Sequence, residues 1–349
     1  LQDPSLLIMD EPTSVLTPQE VEVLFKTLRK LREEGTSILY ISHKLEEIRA
    51  ICDAATILRR GKVVATSDPK TASARELAEL MVGSTLHQPE RATQELGDVM
   101  LEVNDLSTAS ASPFGTSLKS INLKVHKCEV LGVGGVAGNG QDELLAALSG
   151  ESLSSADSVI IDGNPIGNLG PNDRRHIGVL SAPEERLGHA AAPDMSLTEN
   201  ALLTGSKREN LAENGFINWG KTREFAEKII GDFDVRTPGP SHVARSLSGG
   251  NLQKFVIGRE ILQRPEVLVV NQPTWGVDAA AAADIRQALL DLAAAGTALV
   301  VISQDLDELM EISTNFAALH HGHLSETRPC KGLTVDEIGL MLGGADAAA

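Results

Sequence analysis

Two adjacent carboxylates near the start of the chain, Asp10 and Glu11, have the residue types and the setting for chemistry. They follow the apolar run Leu6–Met9, which suits a strand buried on both faces of a parallel sheet. Open α/β sheets bind ligands at the carboxyl ends of their strands, and a buried carboxylate is costly unless it faces a metal or a reacting group. Asp10 could therefore hold Mg²⁺ while Glu11 polarises an attacking water. A strand that simply runs into an acidic turn fits these two residues equally well.

The same segment occurs a second time in the chain. Pro265–Thr274 mirrors Pro4–Thr13, and the offset is 271 − 10 = 261 for the residue that matches Asp10. The same offset continues without a gap through a strand, a helix, a second strand and a second helix. Such a match indicates an internal duplication.

Three titratable residues of the first copy are replaced by amides in the second. The replaced pairs are Asp10 with Asn271, Glu11 with Gln272, and His43 with Gln304. Each replacement removes a charge or a titratable group and roughly keeps the side-chain size. We expect the second copy to keep the shape of a nucleotide site and to lose hydrolysis.

The composition narrows the classes of protein that fit. The 349 residues are enough for about two domains, and the net charge of −17 argues against a duplex nucleic-acid partner. Small phosphates are still possible ligands, because loops bind them through backbone N–H groups. Three widely spaced cysteines fit a reducing compartment, and no apolar run is long enough to span a membrane. Because Leu1 is not a start methionine and a strand follows at once, we expect an N-terminally truncated chain without a signal peptide.

The spacing of apolar residues and turn signals predicts the elements of a first domain. They are the Leu6–Asp10 strand, a helix from the capping box Thr17–Glu20 to Gly35, a strand Ser37–Ser42, a helix Lys44–Cys52, a hairpin Thr56–Thr66 and a helix Thr71–Val82. A polar stretch then predicts a linker, and two antiparallel strands at 100–107 and 118–125 begin a second domain.

A glycine-rich loop follows the next buried strand, Glu129–Gly134, and precedes a helix at 141–148. Strand, glycine-rich loop and helix form the context that a phosphate-binding P-loop needs. The candidate nucleotide-binding residues of this loop are Gly135, Gly138, Asn139, Gly140, Gln141 and Asp142. The last two stand where a P-loop has Lys and Ser or Thr, so a retained strand–helix turn is the favoured interpretation over tight ATP binding.

A second candidate anion site is the segment Leu247–Lys254, which contains Ser248, Gly249, Gly250 and Gln253. A hydroxyl and bare backbone N–H groups at a helix start suit a phosphate. We place the following helix at 255–263. The segment alone could be a capped helix after a flexible turn, but its order before a strand and Gln272-Pro-Thr favours the functional interpretation.

Taken as a set, these segments resemble the ABC-transporter ATPases, and more closely the duplicated ATP-binding subunits of simple-sugar and nucleoside importers. The matching pieces are Leu6–Thr13, Ser42-His43, Gly135–Gly140, Leu247–Lys254, Gln272–Asp278 and Ser303–Asp307. The resemblance implies an α/β P-loop NTPase fold. Residues 1–83 would be the C-terminal part of a first nucleotide-binding domain, 84–99 a linker, and 100–349 a second nucleotide-binding domain with degenerate Walker A and Walker B motifs.

The resemblance also implies ATP and Mg²⁺ as cofactors, and it gives roles to single residues. Asp10 would bind Mg²⁺, Glu11 would polarise water, His43 would contact the γ-phosphate, and Ser248–Gly250 would close over the same ATP from the second domain. A second, degenerate site would contain Gln141, Asn271, Gln272 and Gln304. The first P-loop would lie at 135 − 261 = −126 and the first signature at 248 − 261 = −13, so we expect this chain alone to hydrolyse ATP poorly.

The implied setting is the cytoplasmic face of the cell membrane, with two transmembrane permease subunits and a periplasmic or extracellular solute-binding protein as partners. The alternatives are a soluble twin ABC protein that acts on ribosomes or DNA, and an inactive gene fragment. The sequence does not name the solute. His320, His321 and His323 could bind a metal, but the repeat offset maps them onto the predicted hairpin turn at 59–62, which is the favoured interpretation.

Overall fold

The computed structural model describes residues 4–13, 16, 18–42, 44–59, 61–73, 76–77, 80, 95–110 and 115–344. The chain divides into two compact units. The first comprises Leu1–Gln88 with Asp278–Ala283, and the second comprises Pro89–Val277 with Asp284–Ala349.

The first unit is built on a pair of parallel strands joined through a helix. Its elements are β1 (Leu6–Asp10), α1 (Pro18–Glu33), β2 (Ser37–Ile41), α2 (Leu45–Ile51), β3 (Ala55–Arg59) and β4 (Lys62–Ser67). Strands β1 and β2 are parallel, and β3 and β4 form the predicted hairpin. Helix α1 buries Phe25 and Leu28, and Gly35 follows it with a φ of +99°, a conformation that glycine adopts readily. Thr17, half of the helix predicted at 71–82 and most of the predicted linker lie outside the described residues.

The prediction that β1 is buried on both faces is wrong. Leu6 is 55% exposed and Ile8 is 60% exposed, whereas their repeat counterparts Val267 and Val269 are 0% exposed. The counterpart strand has a strand neighbour on each side, but β1 pairs only with β2 among the described residues. Burial of a strand is set by the elements around it, which an apolar run alone does not specify.

The second unit holds most of the regular structure. Its strands are β5 (Val99–Thr108), β6 (Leu118–His126), β7 (Val130–Gly134), β8 (Val159–Ile161), β9 (Asn164–Pro165), β10 (Val179–Ala182), β11 (Ala212–Glu213), β12 (Phe216–Ile217), β13 (Val267–Asn271), β14 (Ala298–Ser303), β15 (Asn315–His320), β16 (His323–Leu324) and β17 (Arg328–Pro329). Its helices are α3 (Gln141–Ser149), α4 (Pro171–His176), α5 (Leu197–Gly205), α6 (Trp219–Asp232), α7 (Gly249–Ile261), α8 (Ala279–Ala294), α9 (Leu306–Ile312) and α10 (Val335–Leu342).

A mainly parallel sheet forms the centre of this unit, in the order β10-β13-β14-β7-β15-β16. The four adjacent pairs from β10 to β15 are all parallel, and their strands are continuous apolar runs such as VLVVN and ALVVIS. A second, antiparallel sheet has the order β6-β5-β8-β9. Leu144, Leu145 and Leu148 of α3 share one buried core with residues of both sheets. The predicted α/β architecture and the two antiparallel strands that begin the domain are confirmed.

One local prediction in this unit is wrong. Helix α7 begins at Gly249, six residues before the predicted start at Phe255, and Leu252 N donates to Ser248 O at 2.9 Å in its first turn. Burial of Leu252 and Gln253 supports the early helix start despite the low helix propensity of the glycine pair.

Buried arginines tie the helices of the second unit to its core. Arg174 is fully buried and donates to the carbonyl oxygens of four residues, which are Ala147, Leu148, Gly167 and Leu169. Glu260 is also fully buried and accepts from Arg175 at 2.7 Å and Arg259 at 2.9 Å. Buried charges of this kind are tolerated because partners satisfy them.

Candidate functional site

The first part of the candidate site is the end of β1. Asp10 closes the strand with an exposed side chain, and Glu11 follows with a φ of +42°. The Glu11 backbone N–H donates to Ile41 O at 2.9 Å, so the turn is fastened to the end of the neighbouring strand. His43 lies outside the described residues, so its predicted place beside Glu11 stays a prediction.

The end of β13 repeats this geometry. Gln272 has a φ of +53°, and its backbone N–H donates to Ile302 O at 2.8 Å. A left-handed backbone is uncommon for a residue other than glycine, so its occurrence at both equivalent positions shows that the turn itself is duplicated. Asn271 and Gln272 are buried in place of the two carboxylates.

A buried glutamate lies beside each turn, and sequence reasoning missed both. Thr13 donates through its hydroxyl to Glu47 Oε1 at 2.6 Å, and Thr274 donates to Glu308 Oε1 at 2.6 Å. The residue numbers differ by 308 − 47 = 261, so the repeat offset was a signal that could have singled out the pair. On an amphipathic helix, however, a glutamate is expected at the surface.

Glu308, the buried glutamate of the second unit, has a raised pKa. The pKa of Glu308 is raised to about 7, mainly by burial; the nearby charge of Asp305 also acts to raise it, whereas the hydroxyl groups of Thr274 and Ser303 act to lower it. Ser303 donates to Glu308 Oε2 at 2.9 Å. This carboxyl group therefore changes its charge near neutral pH.

The glycine-rich loop after β7 is closed by its own residues. Gln141 is buried, its Oε1 accepts from the Asn139 backbone N–H at 3.0 Å, and its Nε2 donates to Val136 O at 2.8 Å. The amide also lies against Gly135, where a Cβ would come within 2.7 Å of Gln141 Nε2. The Asn139 N–H that a phosphate would need is thus used inside the loop.

Two acidic residues, Asp142 and Glu143, lie in the first turn of α3, next to this loop. Asn271 Nδ2 donates to Asp142 Oδ1 at 2.9 Å. This hydrogen bond connects Asn271, which replaces a carboxylate, with Asp142, which stands where a P-loop has Ser or Thr. Burial, followed by the charge of Glu143, raises the pKa of Asp142. In its ionised form Asp142 would repel a polyphosphate at this place, because like charges repel each other.

The start of α7 presents the other predicted anion site. Ser248 and Gly249 are exposed there, and Asn251 Nδ2 donates to Ser248 Oγ at 2.8 Å. Backbone N–H groups at the start of a helix and the helix dipole favour an anion. This first turn is open in the second unit, unlike the glycine-rich loop.

The side chain of Gln253, in the same helix, connects α7 to two neighbouring loops. Its side chain is buried, and its Nε2 donates to Pro273 O at 2.9 Å in the loop after β13. Arg186 Nε donates to Gln253 Oε1 at 3.0 Å, and its guanidinium also bonds the Trp275 carbonyl. Arg186, which sequence reasoning missed, thereby fastens the loop after β10 to the start of α7.

A cavity of about 700 Å³ in the second unit brings several of these groups together. Asp142, Arg186, Gly249 and Trp275 are among its lining residues. Burial raises the pKa of Glu184, another lining residue, and the charge of Asp142 adds to that rise. The cavity joins the start of α3, the loop after β10 and the start of α7.

The donor set at the end of β1 fits Mg²⁺ bound together with a nucleotide. Magnesium commonly takes one or two protein carboxylates plus substrate phosphates, and Asp10 supplies one exposed carboxylate. Within the described ranges no group of three or more His, Cys, Asp or Glu residues could hold a metal by itself. His320 pairs with His323 across the turn between β15 and β16, in agreement with the hairpin interpretation of these histidines.

In the described part of the chain, no helix combines the length and the apolarity that a membrane span requires.

Known proteins give an independent comparison. The sequence pattern of the ABC transporter family matches residues 118–275. The chain is 39% identical to the glucose import ATP-binding protein TsgD13 of Haloferax volcanii, over 100% of this chain and 64% of the relative. It is 38% identical to the nucleoside import ATP-binding protein NupA of Lactococcus lactis subsp. cremoris, over 97% of this chain and 67% of the relative. The chain thus spans about two thirds of the length of these relatives.

Solved structures agree on the fold. The dimeric post-hydrolysis structure of the ATP-binding cassette MJ0796, bound to ADP and Pi, matches with a TM-score of 0.58. The match has 20% sequence identity and covers 67% of this chain and 100% of that one. The predicted P-loop NTPase fold is therefore confirmed.

Proposed function

Because this chain belongs to the family of ABC transporter ATP-binding proteins, we propose that it is the energy-coupling subunit of an importer for simple sugars or nucleosides. The observation that carries the proposal is the duplicated strand-end turn, with Asp10-Glu11 in one copy and Asn271-Gln272 in the other. One copy keeps the groups for hydrolysis, and the other keeps only the backbone.

The first copy supplies the hydrolytic residues. Asp10 would hold Mg²⁺ together with the phosphates of ATP, and the bound ion would supply positive charge next to those phosphates. Glu11 accepts hydrogen bonds from the attacking water, and His43 contacts the γ-phosphate. Ser248, Gly249 and Gly250 bind the triphosphate at the open start of α7.

The glycine-rich loop of the second unit has a weaker role. Its candidate binding residues are Gly135, Gly138, Asn139, Gly140, Gln141 and Asp142. Gln141 occupies the Asn139 N–H, and Asp142 adds a carboxyl group beside Asn271. These contacts support a site that keeps the turn and binds ATP poorly, with Gln272 and Gln304 unable to activate water.

The partners follow from the importer assignment. ATP binding and hydrolysis drive a conformational change in two transmembrane permease subunits. A periplasmic or extracellular solute-binding protein delivers the solute to them. The chain acts at the cytoplasmic face of the membrane as a peripheral subunit. The names of its relatives, which include glucose, ribose and nucleoside import proteins, support these solute classes.

Transport in cells tests the proposal directly. Cells that lack the gene are expected to lose uptake of one labelled solute among glucose, ribose and guanosine, and the wild-type gene restores it. The Glu11→Gln variant should not restore uptake, because an amide cannot act as the base. The control Glu227→Gln changes an exposed carboxylate on α6, which is 49% exposed and paired with Arg223, and should restore uptake. Restoration by Glu11→Gln, or no loss of any of these solutes, would overturn the proposal.

Hydrolysis by the 349-residue chain itself gives a second measurement. We expect turnover of Mg²⁺-ATP close to background, because Gln141 closes the glycine-rich loop of the second unit and Asp142 adds a carboxyl group beside it. Magnesium-dependent turnover that Glu11→Gln abolishes would contradict this expectation.

A further inference from the structure

Glu47 of α2 is a buried carboxylate that the proposed chemistry does not use. The residue is 8% exposed, and its carboxylate accepts hydrogen bonds from three hydroxyl groups. The distances are 2.6 Å from Thr13 Oγ1 to Oε1, 2.7 Å from the Tyr40 hydroxyl to Oε2, and 3.4 Å from Ser42 Oγ to Oε2. A buried carboxylate with several donors is strongly held in one position.

The three hydroxyls come from the two segments that form the hydrolytic end of the first unit. Thr13 lies two residues after Glu11, and Ser42 directly follows β2. The Glu11 N–H already bonds Ile41 O at 2.9 Å. Glu47 therefore adds a second connection between the Glu11 turn and the end of β2, beside the backbone hydrogen bond.

The backbone conformation of Glu11 explains why this turn needs a second connection. A φ of +42° is unfavourable for a residue with a Cβ and persists where the surroundings hold it. If the backbone of Glu11 left this conformation, its Cα–Cβ bond would point in another direction. The carboxylate would then move away from its present position. A small displacement of a reacting group is enough to lower a rate strongly.

Comparison with the second copy separates a general fold contact from a contact specific to the hydrolytic copy. Glu308 repeats the threonine and serine contacts. The tyrosine contact is absent there, since Tyr40 corresponds to Val301 (301 − 40 = 261). The local charge also differs, because Lys44 Nζ lies 3.7 Å from Glu47 whereas Asp305 occupies the equivalent place near Glu308. The copy that keeps Asp10-Glu11 thus holds its glutamate with an additional hydroxyl donor, and it has a lysine where the second copy has an aspartate.

We propose that Glu47 is a positioning residue for ATP hydrolysis, which fixes the Glu11 turn against the end of β2 through Thr13, Tyr40 and Ser42. The inference rests on the proposed function, since it assumes that Glu11 activates water. Glu47 acts on the rate of the chemical step and leaves the affinity for ATP nearly unchanged, because its contacts among the described residues are with Thr13, Tyr40, Ser42 and Lys44, which are not predicted phosphate-binding groups.

Tyr40 provides a direct probe of this network in the 349-residue chain, because it is the single tyrosine. Burial raises the pKa of Tyr40, and the hydrogen bond and the charge of Glu47 raise it further. Incorporation of 3-fluorotyrosine gives one ¹⁹F resonance that reports on this hydroxyl. Glu47→Gln should move the resonance and lower the pKa of the labelled tyrosine. The matched variant Glu308→Gln, which changes the equivalent position in the second copy, should leave both unchanged.

Steady-state kinetics on the full translation product of the gene tests the effect on hydrolysis. Glu47→Gln is expected to lower kcat by about tenfold, or more, while the KM for ATP stays within about twofold. Thr13→Val should lower kcat in the same way, and Thr13→Ser should keep it, since serine retains the hydroxyl donor. The threonine pair decides the question if the Glu47 variant does not fold.

The outcomes separate the two ideas. No turnover by the wild type would overturn the proposed function, and this inference with it. Wild-type turnover with a normal kcat in Glu47→Gln and Thr13→Val would overturn this inference alone. A raised KM with an unchanged kcat, or an unmoved ¹⁹F resonance in Glu47→Gln, would also overturn it.

Discussion

Stability of the second unit should fall as the pH rises through the titration of Glu308. The folded-state pKa of about 7 lies above the ordinary value of 4.5, so the folded protein binds the proton more tightly than the unfolded chain. The stabilising contribution of the protonated group is fully present below pH 4.5 and is lost as the pH rises to about 7. At higher pH the carboxylate is charged in both states, and the loss is complete.

The size of the effect follows from the same two values. A difference of 7 − 4.5 = 2.5 in pKa corresponds to about 3 kcal/mol in the free energy of unfolding. Glu308→Gln keeps the volume and has no proton to lose. The hydroxyls of Thr274 and Ser303 can turn to accept from the amide. The variant should therefore lack the decline, and it should be more stable than the wild type at pH 8 by a large part of that amount.

Urea unfolding of the wild type and of Glu308→Gln at several pH values between 4.5 and 8.5 measures the difference. Glu227→Gln serves as the control and should follow the wild type, because exposed ion pairs contribute little to stability. Asp305→Asn should move the decline to lower pH, since the charge of Asp305 raises the pKa of Glu308. The reasoning is refuted if the wild type and Glu308→Gln show the same dependence of stability on pH.

Three further substitutions test the packing that supports the site, each by urea unfolding against the wild type. Arg174→Met should lower the free energy of unfolding by about 3 kcal/mol or more, because four buried carbonyl groups lose their donor; a loss below about 1 kcal/mol would contradict that account. Glu260→Gln should cost about 3–5 kcal/mol by leaving Arg259 without a buried counter-charge, and an unchanged midpoint would show that the pair is not needed. Gly322→Ala should cost about 2 kcal/mol, because its φ is +80° and a Cβ would overlap the Ser117 carbonyl oxygen, whereas a neutral result would mean that the turn can shift.

The repeat offset explains why so much of the site could be predicted. Residues related by 261 occupy equivalent places in a duplicated fold, so Asn271 and Gln272 were located from Asp10 and Glu11 without any structure. The shared left-handed backbone of Glu11 and Gln272 confirms that equivalence. The glycine-rich loop was found by a different signal, which is the order of a strand, a loop and a helix.

Burial was the quantity that local pattern predicted least well. Leu6 and Ile8 belong to an apolar strand and are nevertheless exposed. Glu47 and Glu308 carry carboxyl groups and are nevertheless buried. An apolar run shows that a segment can be buried. Whether the segment is covered depends on the strands and helices that lie on either side.

The sequence by itself determined the family resemblance, the duplication, and the loss of the two carboxylates in the second copy, because these depend only on residue types and their spacing. Only the tertiary structure decided that Gln141 closes the glycine-rich loop, that Arg186 fastens the start of α7, and that Glu47 joins Thr13 to Tyr40. Those contacts join groups through side-chain directions and distances of a few ångströms, which spacing along the chain does not specify.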